Sequence, residues 1–202
     1  MAVRESRMSA DQALSRLIAG NERYLNGTSV PTPRHETMSK LLDHQEPFAT
    51  VLGCSDSRVP PEIIFDTELG ELFVIRVAGN VFSPEIDASF QYAAAHLHTP
   101  LFVVLGHESC GVVKAALSTR DGGDHDRSKI QLLVDYVIPA LPPFNSQLSS
   151  AERTAQAVES NIRWTVDQIV ATPEAQSRLA DGNTKIIGSV FELSSGRVRF
   201  LE

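Results

Sequence analysis

The 202-residue sequence contains only two cysteines, so it has no framework of several disulfides like that of small secreted domains. No apolar run approaches the roughly 18 residues of a membrane span, and the longest runs, around 48–54 and 100–106, have the length of strands. Residues 1–15 contain no apolar stretch of the kind that a secretion signal needs. We therefore expect a cytoplasmic protein that does not bind a membrane, with its cysteines free for metal binding or catalysis.

Basic residues are outnumbered, with 18 Lys and Arg against 25 Asp and Glu and a net charge of -7. This balance argues against nucleic acid as a partner, because phosphate binding needs a clustered excess of basic side chains. The mass of 22.1 kDa and the 42% hydrophobic content suit one globular domain. We predict a single domain over 1–202, with an N-terminal helical arm over 1–44 and an α/β core over 45–202.

Compact apolar runs predict the strands. Four of them, over 48–53, 72–77, 101–105 and 185–191, are typical of strands buried on both faces. Helical segments between them indicate an α/β fold with a mainly parallel four-stranded sheet flanked by helices. Residues 197–201 follow the last run too closely for a crossover, which predicts a C-terminal antiparallel edge strand.

Helices are predicted from caps and from apolar spacing. A capping box at residues 9–12 opens an amphipathic helix that ends near Gly27, and its apolar stripe can pack on its own core or on a second subunit. A short helix is predicted over 35–42, another after Ser83 and Pro84 over 86–97, and further ones over 130–138 and 152–170. The polar tract 118–128 predicts a mobile loop.

The two cysteines lie in polar surroundings at strand ends. Cys54 follows the first strand and His107 follows the third, so both lie at carboxyl ends of parallel strands, where binding crevices form. Cys110 is expected in the first turn of the next helix. Two thiolates and one imidazole suit zinc, and Asp56 offers an oxygen for a fourth position. A structural four-ligand zinc site, a disulfide between the cysteines and a pair of buried core cysteines remain the alternatives.

Three motifs make the sequence similar to the β-class carbonic anhydrases. These are Cys-Ser-Asp-Ser-Arg-Val at 54–59, Gly-His-Glu-Ser-Cys-Gly at 106–111 and the segment 70–80 between them, in register from about 45 to 117. The resemblance implies that Cys54, His107 and Cys110 bind one Zn2+ per subunit. It implies reversible hydration of CO2 to bicarbonate and a proton by zinc-bound hydroxide. Arg58 would hold Asp56 as acceptor of the hydroxide's hydrogen bond, and in some members this aspartate instead closes the site as a fourth ligand.

The resemblance also implies pocket residues and an oligomer. Gln45, Phe73, Tyr92 and Gly111 match substrate-pocket positions, and two of them, Phe73 and Tyr92, match residues contributed across a dimer interface. We therefore expect a homodimer or a dimer of dimers. Tyr92 and His96 lie four residues apart on one predicted helix, so they share a face and are candidates for proton transfer.

One position departs from the family, and two other functions stay open. The family usually has a small residue where this chain has Val112. A closely related fold hydrolyses carbon disulfide, an analogue of CO2. A non-catalytic, zinc-stabilised interaction protein is the alternative outside enzymes.

Overall fold

A five-stranded sheet forms the centre of the computed structural model, which describes residues 8–29, 38–39, 41–123 and 128–201. The strands are β1 Ala49–Gly53, β2 Leu72–Arg76, β3 Leu101–His107, β4 Lys185–Phe191 and β5 Val198–Phe200. Their order across the sheet is β2-β1-β3-β4-β5, with the first four parallel and β5 antiparallel to β4. This confirms the predicted four-stranded parallel sheet with an antiparallel edge strand.

Helices cover both faces of this sheet. They are α1 Ala10–Leu25, α2 Pro61–Ile64, α3 Pro84–Tyr92, α4 Gly111–Arg120, α5 Ile130–Val137, α6 Ser150–Val170 and α7 Pro173–Ala180. A wider helical turn, Ala93–Leu97, extends α3, and two short 3-10 turns lie at Ala78–Asn80 and Ile138–Ala140. Helix α1 begins with the predicted capping box. At the start of α3 the Ser83 hydroxyl instead donates to the Glu85 carboxylate, so no side chain caps this helix.

The hydrophobic core lies in two layers because side chains alternate along the central strands. Val51 and Val103 point to the layer beneath α1 and α2. Leu52 and Val104 point to the layer beneath the helices between β2 and β4. Every residue of β1 and β3 is buried, as expected for central parallel strands covered on both faces.

The apolar stripe of α1 packs on the chain's own sheet, which decides between the two alternatives left by the sequence. Leu17 is fully buried, and Gly20 lies so close to the Phe65 carbonyl that a Cβ there would come within 1.8 Å of its oxygen. Asn21, also buried, fixes the helix to two other segments. Its amide donates to the carbonyl oxygens of Ile64 and Gly196, and its Oδ1 accepts from the Val198 N–H.

Most predicted boundaries lie within two residues of those in the structure, and two predicted segments differ by more. Residues 118–120, predicted as part of a loop, form the last turn of α4, because Leu117 and Thr119 bury the inner face of this helix. Of the predicted helix over 35–42, residues 38–39 are helical and 41–42 are not, while 35–37 and 40 lie outside the described residues, as do 124–127 of the predicted loop. Within the described ranges, no helix has the length and apolar character needed to cross a bilayer.

Candidate metal centre

The direction of the strand order reverses between β1 and β3, and the candidate site lies at this point. β1 pairs directly with β3, so Cys54, which follows β1, and His107, which ends β3, emerge at the same edge of the sheet. The sequence suggested that Cys110 lies in the first turn of α4. In the structure it is the residue directly before this helix. The crevice at such a reversal is the usual binding site of an open parallel sheet.

Cys54, His107 and Cys110 form a compact buried cluster. Their ligand atoms all lie within 4.8 Å of one another, and the side chains are 4%, 0% and 1% exposed. Both cysteines are free, so the disulfide alternative is wrong for this structure. Two sulfurs and one imidazole nitrogen at this separation are a donor set that zinc prefers.

The histidine ring is oriented by its backbone surroundings. His107 Nδ1 lies 2.9 Å from the Glu108 carbonyl oxygen, so this nitrogen carries the proton and donates to it. Glu108 is fixed in turn, because its N–H donates to the Phe191 carbonyl and its carboxylate accepts from the Ser194 N–H at 3.1 Å. In the neutral ring the other nitrogen, Nε2, then has a free lone pair, and it faces the cysteines. It is buried without a hydrogen-bond partner among the described residues, which is the state expected of a metal ligand.

The two thiols share a proton. The Cys110 thiol donates to Cys54, and this bond outweighs burial and lowers the pKa of Cys54 to about 4. The same bond, together with burial, raises the pKa of Cys110 far above its ordinary value. The Gly79 N–H also donates to Cys54 Sγ at 3.4 Å. Without a metal the pair thus carries one negative charge, which is the form ready to bind a cation.

Asp56 stands beside the cluster and is held by Arg58. Arg58 Nε donates to Asp56 Oδ1 at 2.9 Å and Nη2 donates to Oδ2 at 2.8 Å, while the Arg58 backbone N–H donates to Oδ1 at 3.0 Å. These bonds hold the pKa of the carboxyl far below its ordinary value. Oδ2 remains 3.9 Å from His107 Nε2. The carboxylate therefore faces the cluster while the guanidinium keeps it in place.

A second arginine, which the sequence reasoning missed, holds the loop after β1. Arg76 at the end of β2 donates from Nε to the Cys54 carbonyl at 3.0 Å and from Nη2 to the Asp56 carbonyl at 2.6 Å. The backbone carbonyls of one ligand and of its acidic neighbour are thus fixed by one side chain. The sequence signal that could have identified Arg76 is a charged residue at the end of an otherwise apolar strand.

Asn161 of α6 was also missed. Its Nδ2 donates to the Gly79 carbonyl at 2.9 Å, in the turn whose N–H reaches Cys54. A buried asparagine between Val158 and Ile162, within an apolar helix stripe, is the sequence signal for this contact.

The predicted pocket residues lie in two places, one beside the cluster and one at the distant end of the strands. Gly111 follows Cys110 directly and borders open space, because a Cβ there would meet nothing within 4 Å. Phe73 pairs with Thr50, four residues before Cys54, which places it about 13 Å from the cluster along the strands. Gln45 is exposed and precedes β1 at the same distant end.

Tyr92 and His96 lie with Phe73 rather than with the candidate metal ligands. The ring centroids of Phe73 and Tyr92 are 6.0 Å apart, and those of Tyr92 and His96 are 4.9 Å apart. Tyr92 is 47% exposed. The three rings therefore form a continuous aromatic surface, away from the cluster of their own chain.

Fold and site together define an α/β protein with a buried Cys-His-Cys centre at the switch point of a parallel sheet. The model of the carbonic anhydrase family matches residues 49–198. A carbonic anhydrase of Mycolicibacterium smegmatis is 37% identical over 181 residues, covering 89% of this chain and 87% of the relative. Carbonic anhydrase 2 of Mycobacterium tuberculosis is 37% identical over 186 residues, covering 88% and 86%.

The solved structure of the β-carbonic anhydrase CcaA has a TM-score of 0.74 and 27% identity, and the match covers 93% of this chain and 91% of that one. The chain belongs to the carbonic anhydrase family, and its architecture is that of the β class.

Proposed function

We propose that this protein is a zinc-dependent enzyme that reversibly hydrates CO2 to bicarbonate and a proton. The observation that carries the proposal is the buried cluster of Cys54, His107 and Cys110, whose ligand atoms lie within 4.8 Å of one another. Membership of the carbonic anhydrase family supports the reaction. The carbon disulfide alternative and the non-catalytic alternative have no comparable support, because the relatives described above bear the name of carbonic anhydrase.

The donor set fits one zinc ion per chain. His107 Nε2 has no hydrogen-bond partner among the described residues, and it lies with the two cysteine sulfurs in a group of atoms within 4.8 Å of one another, so one imidazole nitrogen and two sulfurs point at a common position. When bound, zinc lowers the pKa of a water to near neutrality and so supplies a nucleophile for CO2. Cys54, His107 and Cys110 would hold the ion, and the Glu108 carbonyl would keep the imidazole in the binding tautomer.

Asp56 and Arg58 orient the reacting solvent. The two guanidinium bonds leave the carboxylate ionised and directed at the cluster, so Asp56 can accept a hydrogen bond from a water there and fix the direction of its lone pair. Arg58 also restrains Asp56 from becoming a fourth ligand. Gly111 leaves room for the substrate beside Cys110.

The distant pocket residues imply that a second subunit completes the site. Phe73 lies about 13 Å of strand away from its own cluster, Gln45 precedes β1 at the same end, and the exposed Tyr92 is in ring contact with Phe73. We infer that they line the pocket of a partner in a homodimer or in a dimer of dimers. Tyr92 and His96 are in ring contact, so they can pass a proton outward from that pocket.

The location and the domain organisation remain parts of the proposal. Two free, buried cysteines that must stay reduced suit the cytoplasm. The packing of α1 on the sheet supports one domain over 1–202, with residues 1–44 as an arm and 45–202 as the core.

Stopped-flow hydration of CO2, read with a pH indicator, tests the reaction. The zinc-loaded protein should accelerate hydration, and Cys54→Ala should lose both bound zinc and hydration activity. If Cys54→Ala retained either, the ligand assignment would be wrong. If the zinc-loaded wild type did not hydrate CO2, the non-catalytic alternative would replace this proposal.

A further inference from the structure

Two polar side chains of α6 hold consecutive carbonyl groups of the Ala78–Asn80 turn. Asn161 is 1% exposed and donates from Nδ2 to the Gly79 carbonyl at 2.9 Å. Thr165, one helical turn later and also 1% exposed, donates from its hydroxyl to the Asn80 carbonyl at 3.3 Å. The turn and the helix are about 80 residues apart in the chain, so these contacts fix a long-range geometry.

The turn needs such support because two successive residues have left-handed backbone. Gly79 has a φ of 78° and Asn80 a φ of 45°. Asparagine enters this region more readily than other residues with a side chain but less readily than glycine, and two such residues in succession persist where their surroundings fix them. Its consequence is the direction of the Gly79 N–H, which lies 3.4 Å from Cys54 Sγ.

Apolar packing does not explain why a polar residue, Asn161, occupies this position. Its neighbours on the helix face, Val158 and Ile162, are apolar and buried. Asn161 Oδ1 is buried with no hydrogen-bond partner among the described residues, so this amide carries a desolvation cost that a leucine would not. A polar residue at this position is accounted for by its bond to Gly79.

We propose that Asn161 is a positioning residue of the metal centre, which acts through the Gly79 N–H on the Cys54 sulfur. The inference rests on the proposed function in that Cys54 is a zinc ligand there. A hydrogen bond to a thiolate withdraws charge from it and fixes its orientation, and both effects tune how the sulfur binds a metal. Asn161 thereby sets the donor strength of one ligand from a helix that contributes none.

The first test uses the wild type loaded with 113Cd2+, whose nucleus couples through an N–H···S–metal bridge. A scalar coupling between cadmium and the Gly79 amide proton is expected, and a spectrum without it overturns the proposal. This measurement needs no substitution, so it decides even if a variant fails to fold.

The second test uses Asn161→Leu loaded with Co2+, whose sulfur-to-metal charge-transfer band reports the donor strength of the thiolates. Loss of the Gly79 bond leaves more charge on the sulfur, so the band should move to lower energy. Because the sulfur also loses its fixed orientation, metal affinity should fall about 10- to 100-fold. Val158→Ala is the matched control, because it removes buried atoms from the same helix face and leaves both hydrogen bonds to the turn in place. It should lower the melting temperature and leave the band in place.

The proposal is overturned if Asn161→Leu melts at a lower temperature, as the control does, but keeps the wild-type band and affinity. Failure of the proposed function would be seen in the CO2 hydration assay and not in these metal spectra. A wild type with the cadmium coupling but no CO2 hydration would leave the role of Asn161 intact, and active wild type without the coupling would remove that role alone.

Discussion

Replacing Gly79 by alanine tests the turn that reaches the metal centre. An alanine there must adopt a φ of 78°, and its Cβ would lie 3.0 Å from Val112 Cγ1 and 3.1 Å from Val112 Cβ. The left-handed backbone costs about 1–2 kcal/mol, and the crowding against Val112 adds about 1–2 kcal/mol. The free energy of unfolding should therefore fall by about 3 kcal/mol, which for a chain of this length lowers the melting temperature by about 6–12 °C.

Denaturant unfolding of the metal-free protein, at fixed protein concentration and under reducing conditions, measures this loss. Val112→Ala provides the second arm of a double-mutant cycle, because it removes the atoms that the new Cβ meets. In the Val112→Ala background the cost of Gly79→Ala should fall to the backbone part, about 1–2 kcal/mol. A loss below about 0.5 kcal/mol in the wild-type background, within the range of an ordinary surface substitution, would refute the reasoning.

Three further predictions concern the site and the arm. Asp56→Asn should keep zinc but lower kcat about 10- to 100-fold in stopped-flow assays, because the amide orients solvent poorly, whereas loss of zinc would identify Asp56 as a ligand. Zinc binding near neutral pH should release about one proton, from Cys110, because the lowered pKa of Cys54 leaves it deprotonated. Calorimetry in buffers of different ionisation enthalpy measures this number, and about two protons would contradict the shared-proton pair. Asn21→Ala should cost about 2–4 kcal/mol by breaking three hydrogen bonds, two of them buried, whereas Asn26→Ala at an exposed position should cost little, and equal losses would contradict the role of Asn21 in fixing α1.

The fold was largely predictable because its strands are continuous apolar runs. Buried parallel strands leave this pattern in the chain itself, and the short Ser194–Gly196 connection implies the antiparallel hairpin. The order of the strands was not predictable in the same way. Whether β1 neighbours β3 depends on packing across the sheet, and the convergence of Cys54 with His107 was therefore conditional until the pairing was seen.

The candidate ligands could be named from the sequence because they lie within short motifs, but the residues that support them could not. Arg76 and Asn161 act on backbone carbonyls 20 or more residues away in sequence, so no spacing within a short motif marks them. The choice of Asp56 between the metal and Arg58 was open for the same reason. It depends on side-chain geometry, which in this structure gives the bidentate pair with Arg58.

The arm shows how a sequence pattern can be correct and still ambiguous. The amphipathic stripe predicted α1, yet its apolar side chains suited a partner subunit as well as its own core. The close approach at Gly20 and the three bonds of Asn21 settle this for the described part of the arm. Neither contact leaves a periodic signal, because each depends on a single residue meeting a distant backbone.

Titration of the metal-free protein with zinc, with CO2 hydration measured at each addition, tests the central claim most directly. Hydration should run at the uncatalysed rate at the start, accelerate in proportion to the zinc bound to Cys54, His107 and Cys110, and stop accelerating at about one ion per chain. Full zinc binding without any acceleration of CO2 hydration, or acceleration by the metal-free protein, would contradict the account.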